Sequence, residues 1–410
     1  MPAPTADTRV LTRSDVMAGV DGTVRDQVAH LTALAVAGLP HAYDDATGEF
    51  AQTVRGVTRP DGVALQREGT NLRYASMAAL GLARTPLEMQ TEALAGRTAG
   101  DIVSLAAQRA ETSQDPGAVA LAVWAMAEVN GEYAASLVGR LRGALDGRPL
   151  PSVDAAWILT AAVAASPYGD TTDVVRDATA LLVDGAGWSG LFPHTLPASA
   201  QARWRAHVGS FADQVYPLQA FARASVLTGD RDLLARANTI ARRLCDLQGA
   251  GGQWWWHYDS RDGSVVEAFP VYSVHQHAMG PMVLFDLWEA GGDDHRAEIA
   301  RGLGWLTRHP EVVDELVSDR HQLVWRKVGR REPPKAARAI GALTTSVKRG
   351  LHLPGIDRLM PATVIDRECR PYELGWLLYA WLSPANPPTD PSDPSDPSDL
   401  SDLGDGAGDD

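Results

Sequence analysis

The sequence predicts an all-α fold, an (α/α)6 toroid in which about six helical hairpins ring a central cavity. Three observations predict it. Helical apolar periodicity recurs along the whole body of the chain. Helices apolar nearly all round alternate with helices that carry one polar face. Strand-like alternation is scarce, with Gly263–Tyr272 the best candidate, suited to a short hairpin over the cavity mouth.

Taken in order, residues 1 to 22 are polar and are expected to be loosely ordered. The body, 23–384, holds inner-type helices at Leu72–Leu82, Val119–Val129, Ala155–Ala165, Val215–Leu227, Ala278–Trp288 and Tyr372–Leu382. They are rich in Ala, Gly and Met, and a helix apolar on every face is buried on every face. Between them lie amphipathic segments, Asp173–Leu182, Arg231–Leu247 and Asp294–Arg308, which belong outside. The end of the chain, 385–410, carries Asp-Pro-Ser repeats that cannot bury apolar surface and reads as a disordered acidic tail.

A chain of 410 residues, 45% hydrophobic, suggests two or three domains by length alone, but a toroid repeats one small unit and accommodates it as one. The net charge is -14, and Pro387–Asp410 alone holds eight Asp with no Lys or Arg, so the body is only mildly acidic. Such a body offers no electrostatic footprint for nucleic acid or an anionic membrane. Cys245 and Cys369 are the two cysteines, which excludes a disulfide framework and a zinc knuckle. The N-terminal residues lack a basic stretch followed by an apolar core, and no run of about 18 apolar residues occurs, so a soluble cytoplasmic protein is expected. No dinucleotide fingerprint, P-loop or nucleophile elbow is present, and no cofactor is expected.

Loops leading into the inner helices lie at one rim of a toroid, where their side chains reach the cavity. Asp213-Gln-Val-Tyr-Pro-Leu and Arg370-Pro-Tyr-Glu-Leu, with Tyr372 and Glu373, have the residues a first helical turn wants. The densest segment runs from Leu247 to Pro281. It turns on three glycines, shows Trp254, Trp255, Trp256 and Tyr258 with Gln253, His257 and Asp259, and ends in His275-Gln-His277. Aromatic faces stack on sugar C–H surfaces while planar polar groups bind hydroxyls, so the segment supplies both kinds of contact. At least one of the three consecutive Trp is expected to fill space between helices instead.

Glycosidic cleavage needs an acid and a base, usually two carboxylates. Asp213, Asp259, Asp262, Glu267 and Glu373 all fall in or beside rim loops, and sequence alone does not select a pair. His275 and His277 cannot both meet one ligand from a regular helix, and a zinc site would need further ligands, so no metal is expected. A cavity-facing His is suited to proton transfer, since its pKa lies near working pH; a helix-capping role is the plain alternative. Gln276 between them is a binding candidate. At the first inner helix, Arg67-Glu68-Gly-Thr-Asn-Leu-Arg73-Tyr74 offers Thr70 or Asn71 as N-cap. Glu68, Arg73 and Tyr74 then stand near the rim, with Arg73 able to hold an acidic group or to pair with Glu68. Trp188-Ser-Gly-Leu-Phe-Pro-His194 resembles the aromatic loop of the main segment and suits the equivalent place in another hairpin.

Gln248, Gly252 and Trp254 together resemble the Gln-Trp motif of terpenoid-cyclase toroids, while the whole layout is similar to six-hairpin glycosidases and the sugar epimerases of that shape. The latter resemblance implies a carbohydrate-active enzyme, working by paired carboxylates or by His-assisted proton transfer. Rim placement and residue type give Asp213, Asp259, Glu267, His275 and His277 as the candidates for chemistry. The same reasoning gives Glu68, Arg73, Tyr74, Trp255, Trp256, Tyr258, Gln276, Tyr372 and Glu373 as the candidates for binding, with a small molecule or oligosaccharide as partner. The former resemblance keeps a prenyl-binding or cyclising toroid as the alternative. It lacks the Asp-x-Asp-Asp acid, and neither Asp44-Asp45 nor Asp170-Thr-Thr-Asp173 replaces it. The Gln-Trp element is then expected to tie an outer helix to the following loop.

Overall fold

The computed structural model describes residues 10–60, 62–333 and 335–387. The expectation of a disordered tail over 388–410 lies outside them. Twelve helices build the ring. In chain order they are α1 (Gly22–Gly38), α2 (Leu72–Leu82), α3 (Ala99–Ala110), α4 (Pro116–Ala125), α5 (Ala135–Ala144) and α6 (Ser152–Ala165). Then follow α7 (Thr172–Gly185), α8 (Phe211–Thr228), α9 (Arg231–Asp246), α10 (Gly280–Glu289), α11 (Arg296–Trp305) and α12 (Pro371–Leu382). The even-numbered helices form an inner ring, each packed on the next, and α12 returns onto α2 to close it. The odd-numbered helices pack outside them. The chain is an (α/α)6 toroid.

The two helix classes follow from composition. In α4 every residue from Gly117 to Ala125 is buried, as an all-apolar helix requires. In α9 the buried residues are Leu233, Ala237, Ile240, Ala241, Leu244 and Cys245, one stripe at helical spacing, with arginines on the other face. The closing seam depends on two glycines. A Cβ at Gly81 would stand 2.1 Å from the Gly375 carbonyl oxygen, and one at Gly375 would stand 2.5 Å from that of Met77. Here α2 and α12 meet backbone to backbone.

The starts of the inner helices gather at the cavity end of the ring, and several are capped by polar side chains. Asp115 accepts from Gly117 N and Ala118 N ahead of Pro116. Ser210 and Asp213 form a reciprocal capping box on α8. Glu373 accepts from Arg370 N at 3.1 Å on α12. Two inner helices are irregular: α4 runs on into a π-turn at Met126–Asn130, and a second π-turn, His275–Met279, leads into α10. Such turns are frequent at functional sites.

Strands are short and sit over the ring ends. Val208–Ser210, His257–Asp259 and Val265–Glu267 form one three-stranded sheet. Val271–Tyr272 pairs instead with Lys327–Gly329, which pairs in turn with Val364–Asp366. The sequence reading missed the longest hairpin, Thr53–Arg59 with Gly62–Glu68, which extends to Glu368–Cys369. Its faces are mostly half exposed, so no clean alternation marks it. From Val10 onward the N-terminal segment is structured, contrary to the expected loose order. Thr12 and Asp15 cap a short helix, Arg13–Met17, and Arg13 reaches Asp286 and Glu289 in the ring. No described helix is long and apolar enough to cross a membrane.

Candidate functional site

A cavity of about 410 Å³ opens where the inner helices begin, within the usual range of small-molecule sites. The N-terminal turns of α2 and α12 contribute Asn71, Arg73, Tyr74, Met77 and Tyr372. From α6 and α8 come Val153, Trp157, Ser210, Ala212 and Tyr216, and the π-turn before α10 adds His275 and Met279. Trp256, Tyr272 and Arg326 complete the wall from the connecting loops. Six aromatic rings therefore share the wall with two guanidinium groups and an imidazole. Two larger apolar grooves, of about 720 and 890 Å³, run along outer helices, away from these groups.

The centre of charge is Arg73. Asn71 caps α2 by accepting from Arg73 N at 3.0 Å, which fixes where the arginine leaves the helix. Its guanidinium lies 5.1 Å from the Trp157 ring and binds two carboxylates. Nε donates to Asp115 at 2.7 Å and Nη1 to Asp154 at 2.8 Å, while Nη2 bridges both. Only a glycine fits against this cluster. A Cβ at Gly117 would stand 2.5 Å from Asp154 Oδ1 and 2.6 Å from Arg73 Cζ. Asp154, in the first turn of α6 between the wall residues Val153 and Trp157, is nearly fully buried, whereas the Asp115 side chain is 40% exposed.

Environment drives the two acids apart. Burial raises the Asp154 pKa above the ordinary carboxylate range despite Arg73, and the charges of Asp115 and Asp213 push the same way. Burial also acts on Asp115, but Arg73 and the amides of Gly117 and Ala118 outweigh it, and its pKa falls. Two neighbouring carboxyls whose pKa values are pushed apart are the arrangement that separates acid and base roles.

His275 faces the cavity, stacked on Phe211 at 4.3 Å and 5.1 Å from Tyr272. Burial, followed by Arg326 and His277, holds its pKa well below the usual value, so it is a neutral imidazole. His277, two residues on in the same π-turn, belongs to the core. Neither ring nitrogen has a partner, and burial pushes its pKa down to about 3. The HisGlnHis segment thus presents one imidazole to the cavity. Among the described residues no group of three or more His, Cys, Asp or Glu is arranged to hold a metal ion.

Of the other sequence-chosen residues, Tyr74, Trp256 and Tyr372 line the cavity, with Tyr74 and Tyr372 4.8 Å apart. Asp213 lies one layer behind, buried under Ser210, and meets His194 Nδ1 at 3.1 Å. That bond raises the His194 pKa. Glu373 is buried behind Tyr372 and pairs with Arg326 at 2.9 Å. The remaining candidates are placed elsewhere. Asp259 faces away in its sheet, tied to Arg261 at 2.7 Å. Glu267 pairs with Arg330 at 2.9 Å and caps Phe269 N. Glu68 pairs with Arg55 on the exposed hairpin, not with Arg73. Trp255 gives its indole N–H to Leu247 O, Tyr258 accepts from Trp255 N, and Gln276 bonds both backbone atoms of Trp254. These last three hold the loop together. Gln248 does likewise, donating to Gly252 O and Glu298 O, so the Gln-Trp element ties α9 to the loop that follows it.

Asp115, Asp154, Trp157, Tyr216, Tyr272 and Arg326 were not singled out from sequence. Asp154 had a signal: Pro151-Ser-Val-Asp places a carboxylate at the third helical position, as Asp213 and Glu373 are placed.

No protein-family model matches the sequence, and a search of characterised proteins by sequence finds no relative. Solved structures do share the fold. An unsaturated glucuronyl hydrolase specific for heparin superposes with a TM-score of 0.52 at 14% identity, covering 87% of this chain and 96% of its own. A possible GH105 family member from Klebsiella pneumoniae gives 0.53 at 10% identity over 87% and 92%. A sugar epimerase from a ruminal bacterium gives 0.51 at 12% identity over 80% and 99%. At these identities the likeness establishes the architecture alone: the chain shares the α/α-toroid fold of these structures.

Proposed function

We propose that the protein is a carbohydrate-active enzyme that works by acid/base chemistry at the Arg73 end of the cavity. The observation that carries this reading is the Asp154–Arg73–Asp115 cluster, two carboxyls whose pKa values are driven in opposite directions, held on one guanidinium beside an aromatic wall. In cleavage Asp154 gives its proton to the departing glycosidic oxygen while the ionised Asp115 takes one from the water that attacks the anomeric carbon; in epimerisation Asp115 takes the proton from the sugar carbon and Asp154 returns one to it. Trp157, Trp256 and the tyrosines offer ring faces to the sugar, while the neutral His275 accepts from or donates to a hydroxyl. The toroid neighbours that act on sugars, a glucuronyl hydrolase and a sugar epimerase, support the substrate class. They span both cleavage and epimerisation, and the same acid/base pair serves either.

A prenyl-binding toroid would have a wall of apolar side chains with an acid at one pole. Here the wall includes Arg73, Arg326 and His275, and Asp44, Asp45, Asp170 and Asp173 all lie away from it. Melting temperature in the presence of sugars and uronic acids, against prenyl diphosphates, tests the choice. Occupancy at 100 times the dissociation constant adds about 2.7 kcal/mol. A shift of several degrees with a sugar supports the reading, and a shift with prenyl compounds alone contradicts it.

A further inference from the structure

The loop that follows α7 carries an imidazole that the Arg73 cluster does not use. His194 ends the Trp188–His194 segment, and its backbone is held from both sides at the cavity rim. Ser152 N bonds His194 O at 3.0 Å, and His194 N bonds Val208 O at 3.0 Å. Ser152 is the neighbour of Val153, and Val208 leads into Ser210; both Val153 and Ser210 line the cavity. Gln214 of α8 fastens the same loop by bonding both backbone atoms of Phe192, at 2.7 and 2.9 Å. The approach needs a glycine, since a Cβ at Gly209 would stand 1.9 Å from Phe192 O.

The side chain is held as firmly as the backbone. His194 Nδ1 lies 3.2 and 3.1 Å from the two carboxylate oxygens of Asp213. A carboxylate only accepts, so Nδ1 carries a proton and Nε2 is the nitrogen left for exchange. Asp213 is wholly buried and also accepts from Ser210 N at 2.7 Å and Ser210 Oγ at 2.8 Å, which fixes its plane. The His194 side chain is 54% exposed, and among the described residues Nε2 has no hydrogen-bond partner. Capping of α8 explains the bonds between Asp213 and Ser210. It does not call for an imidazole on the same carboxylate with its other nitrogen open. A buried carboxylate behind such an imidazole is the arrangement that orients a proton carrier.

We propose that His194, oriented by Asp213, is a second proton donor of the cavity, serving a sugar oxygen at the rim. The role rests on the carbohydrate reading for its substrate. As negative charge develops on that oxygen, the Nε2–H bond breaks and the oxygen's electron pair takes the proton. The neutral imidazole left behind is reprotonated by water on its open side, so no co-reactant is needed. Asp213 is a positioning residue: it holds the ring and balances the imidazolium. The charged groups around His194 are Asp213 of α8, Arg205 of the loop before Val208 and Asp154 of α6. The Asp213 contact outweighs the others and raises the His194 pKa above the ordinary 6.5, which keeps the donor charged toward neutral pH.

Two measurements on the full chain test the proposal. Carbethoxylation by diethyl pyrocarbonate, followed at each histidine by peptide mass spectrometry, reads the dyad without a sugar, because only an accessible, unprotonated imidazole reacts. His194 is expected to react with a midpoint above pH 6.5 that Asp213→Asn lowers. Asparagine keeps an acceptor for Ser210, so the helix cap survives. An unreactive His194, or a midpoint that Asp213→Asn leaves in place, overturns the dyad. The second measurement is sugar turnover by proton NMR. His194→Ala is expected to lower kcat by a factor of about 10² or more, with KM changed less, and free imidazole in solution to restore part of the rate. A purely structural histidine would show no such rescue. Undiminished turnover in His194→Ala, or a loss that imidazole does not relieve, overturns the donor role and leaves the Asp154 reading standing. If the unmodified protein turns over no sugar, the carbohydrate reading falls and the donor role with it.

Discussion

Asp154 and Asp115 share one guanidinium yet their pKa values are driven in opposite directions, and the difference is burial. Asp154 sits in the first turn of α6 almost without solvent; Asp115 caps α4 with its side chain partly open and two amides aimed at it. Sequence could name neither role, because the numbers of carboxylates and caps are legible while their depth is not. Tyr74, Trp256, Tyr372, Arg73 and His275, chosen from loops before inner helices, do line the cavity, whereas Trp255 and Tyr258 of the same aromatic loop turn to its backbone instead. Asp259 and Glu267 looked equivalent to them in sequence, but the strand register turned both toward arginines outside the cavity. Two outcomes are expected at this scale. Asp154→Asn should lower turnover by a factor of about 10² to 10⁴, the usual contribution of a positioned proton donor, with circular dichroism unchanged. The pH–rate profile should fall as pH rises through the raised pKa of Asp154, where the acid is lost. It should fall again toward acid as Asp115 takes up a proton below the ordinary carboxylate range. An unaltered basic limb in the Asp115→Asn variant would leave Asp154 as the acid, whereas loss of that limb would not.

Elements were the most legible scale. Each inner helix inferred from all-round apolarity is present, with ends displaced by a few residues where a cap or a π-turn decides. Val119–Val129 became α4 plus a π-turn, and Ala278–Trp288 became a π-turn followed by Gly280–Glu289. Backbone irregularity of that kind leaves no periodic trace. The close approaches left a trace only as glycines without a stated partner. Gly117 makes room for the Arg73–Asp154 contact, and Gly81 with Gly375 lets α2 and α12 touch. Gly117→Ala should therefore displace the cluster, lowering stability by about 1–3 kcal/mol and turnover together. Gly375→Ala should lower stability at least as much, because its new Cβ meets backbone atoms that cannot rotate away, while kcat of the folded fraction is retained. Thermal melts paired with steady-state rates distinguish the two.

For the molecule as a whole, the ring is held shut at the end opposite the cavity by a buried ionic network. Arg223 of α8 donates to Asp286 of α10 at 2.7 Å, to Glu128 after α4 at 2.8 Å and to Tyr379 of α12 at 2.7 Å. Arg84 adds a second bond to Glu128, and Arg13 comes in from the N-terminal segment to Asp286 and Glu289. Six helices converge there, and nothing in the sequence pairs residues so far apart; the toroid was legible, its lock was not. Removing one member leaves buried charge unpaired, so Arg223→Met should cost about 3–5 kcal/mol. Burial opposes ionisation of Asp286, but Arg223 and Arg13 prevail and hold its pKa at about 2. A carboxyl depressed in the folded state stabilises above its unfolded pKa of about 3.9, and that contribution is lost as pH falls from there toward 2. The melting temperature should drop across that window, and less so in Asp286→Asn.

Transformation of a sugar by the Asp154–Asp115 pair can be followed by proton NMR in deuterated buffer. Incubation with a panel of oligosaccharides, free sugars, uronates and sugar phosphates reports cleavage as new anomeric signals and epimerisation as C–H to C–D exchange. At least one member of the panel is expected to show one of these, reduced by about two orders of magnitude or more in Asp154→Asn. Turnover at an undiminished rate in that variant would contradict it.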